Sequence, residues 1–434
     1  MSTIDPRAVP ADTTSQDRLA KAGLDYRVVD GSDRAALART LQAVSRGFLG
    51  PEVDEQSIAE QHEQLSDRRY VGVFDTSVAQ ADVPVATVDS WVTPLTVPGG
   101  EIDMWAISGV TVSATHRRRG IARAMLEGEV RAAADAGLAI AGLTVTETTI
   151  YGRYGFGPAI PVSSWTIDTR RAGWAGYEPR GRLEFVSREQ LAHDLGKVHE
   201  RGRARRAGEI AGWPRRWRQH AGLSTSVKDG DAVRGVRYRD ADGVVRGAMA
   251  YRVTEDERDF ALSRLAVRHL AAETPDAAAA LWRFALQHDL VAEVTAELRP
   301  VDDPVRWLVR DERGAAQTVR DHGWLRILDV PRTLEARTYS APVTTTFSVT
   351  DPLGLTTGSW RLEVGADGRG RVSRAPGADA DLRLDVAQLS SLYLGGTPAT
   401  GLLAAGRVAG DPAVAADLDV ALRPPQPPTL GIWY

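Results

Sequence analysis

Arg117, Arg118, Arg119 and Gly120 stand between a run of β-branched residues and a run of helix formers. Ile107, Val110 and Val112 read as a strand, with small residues between them. Ser113, Thr115 and His116 break that run and can start a helix. Ile121, Ala122, Ala124, Met125 and Leu126 then read on as helix. A strand, a basic glycine turn and a helix N-terminus together offer backbone N–H groups and positive charge to a pyrophosphate. By pattern alone an ordinary β–turn–α unit with a solvated arginine run reads the same way.

The elements that must hold this stretch belong to a chain of 434 residues, which at about 150 residues per domain suggests roughly three domains. With 43% hydrophobic and 25% charged residues it has the composition of a soluble globular protein with material for several cores. No apolar run is long enough to span a bilayer, and the opening MSTIDPRAVPADTTSQDRLA is too polar for a signal peptide or anchor. The expectation is a cytoplasmic protein that binds no membrane. A net charge of −4 argues against a general nucleic-acid binder despite the local arginines; Lys21, Lys197 and Lys228 are the only lysines. The absence of cysteine excludes disulfides, thiolate zinc sites and a cysteine acyl-enzyme. The eight histidines show no metal-ligand spacing, and His193 and His199 lie in a polar helical stretch that reads as a solvated face. No metal is expected.

In chain order, residues 1–24 read as a flexible arm. LDYRVVDG (24–31) alternates as a strand, and Ser32 and Asp33 can cap the helix that carries Leu37, Leu41 and Val44. A second helix covers about 54–67, strands follow at 70–75, 83–93 and 102–112, and a helix runs from about 118 to 136. AIAGLTVTE (139–147) is a buried strand, TTIYGRYGFGPA (148–159) a short helix broken by glycines, and VSSWTID (162–168) a strand. From about 181 the order recurs: a strand (182–187), an arginine-rich helix, a hairpin (235–253), a strand (259–267), a helix (275–286) and a strand (291–298). The final part alternates as antiparallel strands at 344–353, 358–375 and 380–389. Apolar helical stretches follow at 389–396 and 400–408, then a stiff RPPQPPTLGIWY ending.

This α/β pattern with a mixed sheet, α+β in the wider sense, resembles the GNAT superfamily of N-acetyltransferases. The superfamily's cofactor signature is Arg or Gln, two residues, Gly, one residue, then Gly or Ala; Arg117–Ala122 fits it. The second region resembles a degenerate copy. Where the first has Arg117–Gly120, it has Arg268–His269–Leu270–Ala271–Ala272, with no glycine to let backbone approach a phosphate. The third resembles a sterol-carrier-like α+β domain. THRRRG, IYGRYGFGPA, WLRILDVPRTLEAR and SLYLGG together resemble the enhanced intracellular survival (Eis) family of aminoglycoside and lysine N-acetyltransferases. The expected domains are 1–180 (acetyl-CoA site), 181–322 (degenerate acetyltransferase-like) and 323–434 (sterol-carrier-like, supplying the chain end).

The resemblance implies acetyl-CoA as cosubstrate and assigns the proton donor to the tyrosine of IYGR, Tyr151. A phenol of pKa about 10 is protonated at neutral pH and can donate to a departing thiolate. Core packing is the other reading for Tyr151, and the preferred one for Tyr154 and Phe156. The resemblance gives the base as the C-terminal carboxylate, here that of Tyr434, acting through water. An apolar tail packed for stability is the alternative. Backbone contacts to the pantetheine arm carry over to Val110, Thr111 and Val112. The pyrophosphate falls to Arg118, Arg119, Gly120, Ile121, Ala122 and Arg123, with Thr146 and Glu147 flanking the arm and Arg117 facing solvent. The family's acidic acceptor pocket is weakly matched. Glu52, Asp54 and Glu55 could supply charge but read better as a helix start. The expected reaction is direct transfer in a ternary complex to an amine of an aminoglycoside-like or lysine-containing substrate, a small-molecule amine, by an enzyme that the resemblance makes a homohexamer. The competing reading is a non-enzymatic protein that binds an apolar ligand in its C-terminal domain.

Overall fold

A computed structural model of the chain describes residues 4–434. The Cα packing divides it into two units: one holds the chain up to residue 159, residues 323–424 and Tyr434, and the other holds residues 160–322 and 425–433.

The first unit opens on a helix where an arm was expected. α1 (Thr13–Ala20) is capped by Asp12, which Arg131 also holds at 2.8 Å, and it buries Ser15 and Leu19. The expectation fails because eight residues carry too short an amphipathic pattern to register, while tertiary contacts supply what local propensity lacks. β1 (Asp25–Val29), α2 (Arg34–Gly47), α3 (Glu55–Leu65), β2 (Arg69–Phe74), β3 (Ala86–Val97) and β4 (Gly100–Val112) follow in the expected order. Asp33 and Asp54 accept backbone N–H groups at the starts of α2 and α3, so the acidic cluster at 52–55 serves a helix start. α4 (Ile121–Asp135), β5 (Ile140–Thr144) and α5 (Thr148–Tyr151) complete the first region. β1 to β5 stand side by side in sequence order. A buried ion pair of Arg69 with Glu129, completed by Ser90 at 2.9 Å and the Trp105 indole at 3.3 Å, locks α4 onto this sheet.

β6 (Gly157–Asp168) leads into the second unit. There α6 (Thr169–Ala172), β7 (Arg182–Val186), α7 (Arg188–Arg203), α8 (Pro214–His220), β8 (Arg234–Arg239), β9 (Val245–Thr254), β10 (Ser263–Ala272), α9 (Pro275–Leu286), β11 (Val291–Arg299) and α10 (Val305–Leu308) follow. The strand order is β6-β11-β10-β9-β8-β7. Residues 268–272 were expected to form the turn equivalent to 117–120. They are instead the end of β10, paired with β9, and Thr274 caps α9 directly. The copy has lost the turn itself, not merely its glycine. His199 also departs from its expected solvated face. His193 is exposed, but His199 is buried against Trp217, its ring nitrogen 2.9 Å from the Ile210 carbonyl.

β12 (Ala315–Ile327) carries the chain back; its residues 323–327 pair antiparallel with β5 in the first unit. α11 (Val330–Glu335), β13 (Val343–Thr350), β14 (Gly358–Val364), β15 (Gly370–Arg374), β16 (Leu382–Asp385), α12 (Val386–Leu392), α13 (Ala399–Ala404), β17 (Ala409–Gly410) and α14 (Pro412–Leu422) build the expected sheet with helices, in strand order β15-β14-β13-β16-β17. This sheet region packs into the first unit. Gly157 lies so close to α12 that a Cβ there would stand 1.9 Å from the Ala387 carbonyl oxygen. The fully buried Arg326 donates to the Tyr154 carbonyl at 2.9 Å and to Asp351 at 2.6 Å, fixing the segment that follows Tyr151.

In the second unit His322 is fully buried, and burial lowers its pKa to about 4. Its Nε2–H donates to the Ile432 carbonyl at 2.9 Å, and its Nδ1 has no partner among the described residues to share a second proton. The folded pKa lies below the unfolded value near 6.5, so this group's stability contribution is complete above pH 6.5 and is lost as pH falls towards 4. The loss is on the order of 3 kcal/mol. The buried His220 and His269 are lowered in the same direction, so unfolding titrations at neutral and acid pH should show a slope that His322→Gln makes shallower.

Candidate active site

β4 and β5 run parallel, and their pairing stops at Ile107 with Leu143. β4 continues to Val112, held along its other edge by β3 through Thr87↔Thr111 and Ala86↔Val112. Past Ile107 the edge of β4 that faced β5 is left without a strand, and its N–H and C=O groups can accept an extended ligand carrying amides. Val110, Thr111 and Val112 lie there. The Thr111 side chain is spent on a 2.7 Å hydrogen bond to Thr87, so its main chain is what it can offer. Gly47, at the end of α2, covers this strand; a Cβ on it would stand 2.4 Å from that of Thr111.

The strand leads into the basic turn. His116 is buried, its Nδ1 2.8 Å from the Thr115 hydroxyl and its Nε2 3.1 Å from Asp75. Hydrogen bonds from Ser77 and then His116 hold the Asp75 carboxyl far below the usual carboxylate range, so it is an anion at any physiological pH. Arg118 and Gly120 have φ of +64° and +76°, and only glycine takes such a φ without cost. The turn they make leaves the first N–H groups of α4 without a side-chain cap. Arg117, Arg118, Arg119, Gly120 and Arg123 are exposed, Ala122 is half-buried and Ile121 is buried, so Ile121 can contribute only main chain. Arg119 lies 3.7 Å from Asp75 and donates to the Ala22 carbonyl; Arg123 pairs with Glu127 at 2.6 Å. Arg117 and Arg118 form no ion pair among the described residues.

Thr146 and Glu147 lie past the end of β5, exposed in the segment that leads to α5, rather than on the strand where they were expected. Tyr151 ends that short helix, nearly buried and edge-on to Phe156 at 6.3 Å. Burial first, and the Glu147 carboxylate second, push its phenol up to about 12. It is a proton carrier at neutral pH. Tyr154 and Phe156 are core residues.

Tyr434 brings the last residue of the sequence to the same strand end. The Thr144 hydroxyl donates to the Tyr434 main-chain oxygen at 2.6 Å and accepts its N–H at 3.4 Å. The ring meets Trp91 edge-on at 5.5 Å, and the bare Gly142 makes room for the phenol. Arg68 stacks on the other partner of this wall, 3.6 Å from the Trp91 centroid, and pairs with Asp89 at 2.8 Å. Thr144, Trp91, Arg68 and Asp89 carry no motif. Only Thr144 has a usable signal, as the polar residue that ends a buried apolar run. Among the described residues no three His, Asp or Glu side chains group as a metal site.

Parted parallel strands, an uncapped helix start and two acetyltransferase-like halves define a GNAT-type acetyltransferase. Models of the acetyltransferase (GNAT) domain match residues 30–159 and 208–327, and a model of the sterol carrier protein domain matches residues 330–431. An uncharacterized N-acetyltransferase of Streptomyces avermitilis is 38% identical over 86% of this chain and 90% of its own. N-acetyltransferase Eis of Mycobacterium tuberculosis is 35% identical over 72% of this chain and 76% of its own. Eis1 from Mycobacterium abscessus has a similar structure, with a TM-score of 0.79 and 29% identity over 95% of this chain and 100% of that one. The chain belongs to the Eis family of N-acetyltransferases.

Proposed function

We propose that the enzyme moves the acetyl group of acetyl-CoA directly to an amine of an aminoglycoside-like or lysine-containing small molecule, within a ternary complex. The amine attacks the thioester carbonyl, a C–N bond forms, and the C–S bond breaks as Tyr151 gives a proton to the sulfur. The carboxylate of Tyr434 takes the proton released by the amine through a water molecule. The observation that carries this reading is that the chain end is held on Thr144, the residue at which β5 and β4 part. With no cysteine in the chain, no thiol nucleophile competes with direct transfer. The main chain of 110–112 would bind the pantetheine arm, and the start of α4 with Arg118 would bind the pyrophosphate. A cytoplasmic location and a homohexamer belong to the same proposal. No helix among the described residues is long and apolar enough to cross a membrane, and exposed Phe185 and Trp307 supply apolar surface for association.

The non-enzymatic reading needs room in the sterol-carrier-like region. The apolar cavity there, lined by Leu334, Phe347, Leu362, Leu389, Tyr393 and Leu418, measures about 20 Å3, enough for a single water. Acetyl-CoA should therefore raise the melting temperature and a fatty acid should not. CoA release against a panel of aminoglycosides, polyamines and lysine peptides tests the acceptor; no release with any amine would end the proposal.

His116→Ala should raise the KM for acetyl-CoA about tenfold and change kcat little, because it releases the turn from Asp75 without touching the acid or base. Steady-state kinetics with varied acetyl-CoA checks this.

A further inference from the structure

The second acetyltransferase-like copy parts its strands as the first does. β10 and β11 pair in parallel from Ser263 with Val291 to Val267 with Ala296, and no further. Beyond that point β10 continues on β9 alone, and Leu298 of β11 takes a φ of +51°. In the first copy the corresponding gap leads to the basic turn. Here the turn is gone, and a segment of the protein's own chain lies in the gap. A Cβ placed on Gly431 would stand 3.5 Å from Glu209, 3.6 Å from the His269 ring on β10 and 4.0 Å from the Leu298 carbonyl on β11. At those distances even a side chain would make ordinary contacts, so the segment lies against both strands of the gap.

That backbone is tied at nearly every residue. The Thr429 N–H donates to the Ala207 carbonyl at 2.9 Å, and the Gly431 N–H donates to the Glu209 carboxyl at 3.2 Å. His322 donates to the Ile432 carbonyl at 2.9 Å, and its ring meets that of Trp433 edge-on at 4.4 Å. The side chains of Leu430 and Ile432 are fully buried. An extended peptide with hydrophobic anchors and alternating main-chain hydrogen bonds is bound as a recognised ligand would be. A tail packed only for stability needs the apolar contacts; it does not need a buried carboxyl aimed at one N–H, which costs desolvation.

We infer that the strand gap of the second copy is a guide track for the C-terminal segment, and that Glu209 and His322 are positioning residues that fix its main chain up to Trp433, one peptide bond short of Tyr434. The catalytic consequence rests on the terminal-carboxylate reading above; the track itself does not. A copy that has lost its phosphate turn thus keeps its cleft for a different extended chain.

Carboxypeptidase A reads the track directly, because it can remove Tyr434 from the folded enzyme only when the tail leaves its place. Tyrosine release from wild type should be slow. Glu209→Ala should speed it about tenfold, the worth of one hydrogen bond left unmade, and Glu209→Gln, which keeps an acceptor for Gly431, should restore most of the resistance. Trp433→Ala removes the ring's contacts with His322 and Arg320, and should also speed release if Glu209→Ala does not fold. Kinetics on the same proteins separate the two readings. With the track and the terminal base both correct, faster release accompanies a kcat about tenfold lower at unchanged KM for acetyl-CoA. Faster release at unchanged kcat supports the track and rejects the terminal base. Release at the wild-type rate in both Glu209→Ala and Trp433→Ala overturns the track, whatever the kinetics.

Discussion

Replacing Tyr151 by phenylalanine is expected to lower kcat by about 10²- to 10³-fold while acetyl-CoA binding stays intact. The ring is nearly buried and packs on Phe156, so phenylalanine keeps its contacts and the fold. What is lost is the proton that the proposed mechanism gives to the leaving sulfur. A thiol titrates near 8.5 in water, so a phenol at about 12 does not surrender its proton to a fully formed thiolate at no cost. The same burial that raises the phenol also raises the thiolate's affinity for a proton. The transfer therefore runs with C–S cleavage rather than after it, and the hydrogen bond strengthens as charge develops. The pH profile should show no loss of activity from Tyr151 ionisation below about pH 11. Turnover by Tyr151→Phe within a factor of about three of wild type would remove the acid assignment.

Adding one glycine after Tyr434 is expected to lower kcat by about 10²-fold, again without affecting acetyl-CoA binding. One residue moves the carboxylate by about 3.5 Å. The Thr144 hydroxyl would then hold an amide carbonyl where it now holds the Tyr434 main-chain oxygen at 2.6 Å. An amide is neither anion nor base, so the loss combines misplacement with lost charge. Intact mass confirms the added residue, and a stopped assay for acetylated amine reads the rate. An unchanged rate would mean that the terminal carboxylate takes no part.

The proposed donor side is legible because it is local. Arg118, Gly120 and Ala122 sit within a few residues of the strand and helix they join, and the chemistry follows from that adjacency. The acceptor side is legible only at Tyr434, and there only through the family resemblance. Thr144 and Tyr434 lie 290 residues apart, and Arg68, Asp89 and Trp91 become one wall only when β2 and β3 pair. The burial of His199 has the same cause: its helix is polar in sequence, and only Trp217 and Ile210 make its position an interior one. The helix at 13–20 leaves little local signal because its anchors, Arg131 and the Ala124 carbonyl, come from far along the chain. α14, an alanine-rich helix started by Asp411, is masked in the sequence by the proline-rich ending that follows it.

The insertion of one unit within the other also bears on how the polypeptide is made. β5 waits for its antiparallel neighbour until residues 323–327 of β12 have been synthesised. At ribosomal speeds of about 5–20 residues per second, that interval is roughly 10–40 s, far longer than chain collapse takes. During it the nascent chain carries a bare, apolar strand edge, Ile140–Leu143, of the kind that pairs with any other free strand. Production of this enzyme should accordingly depend on chaperones, and fragments ending near residue 159 should aggregate.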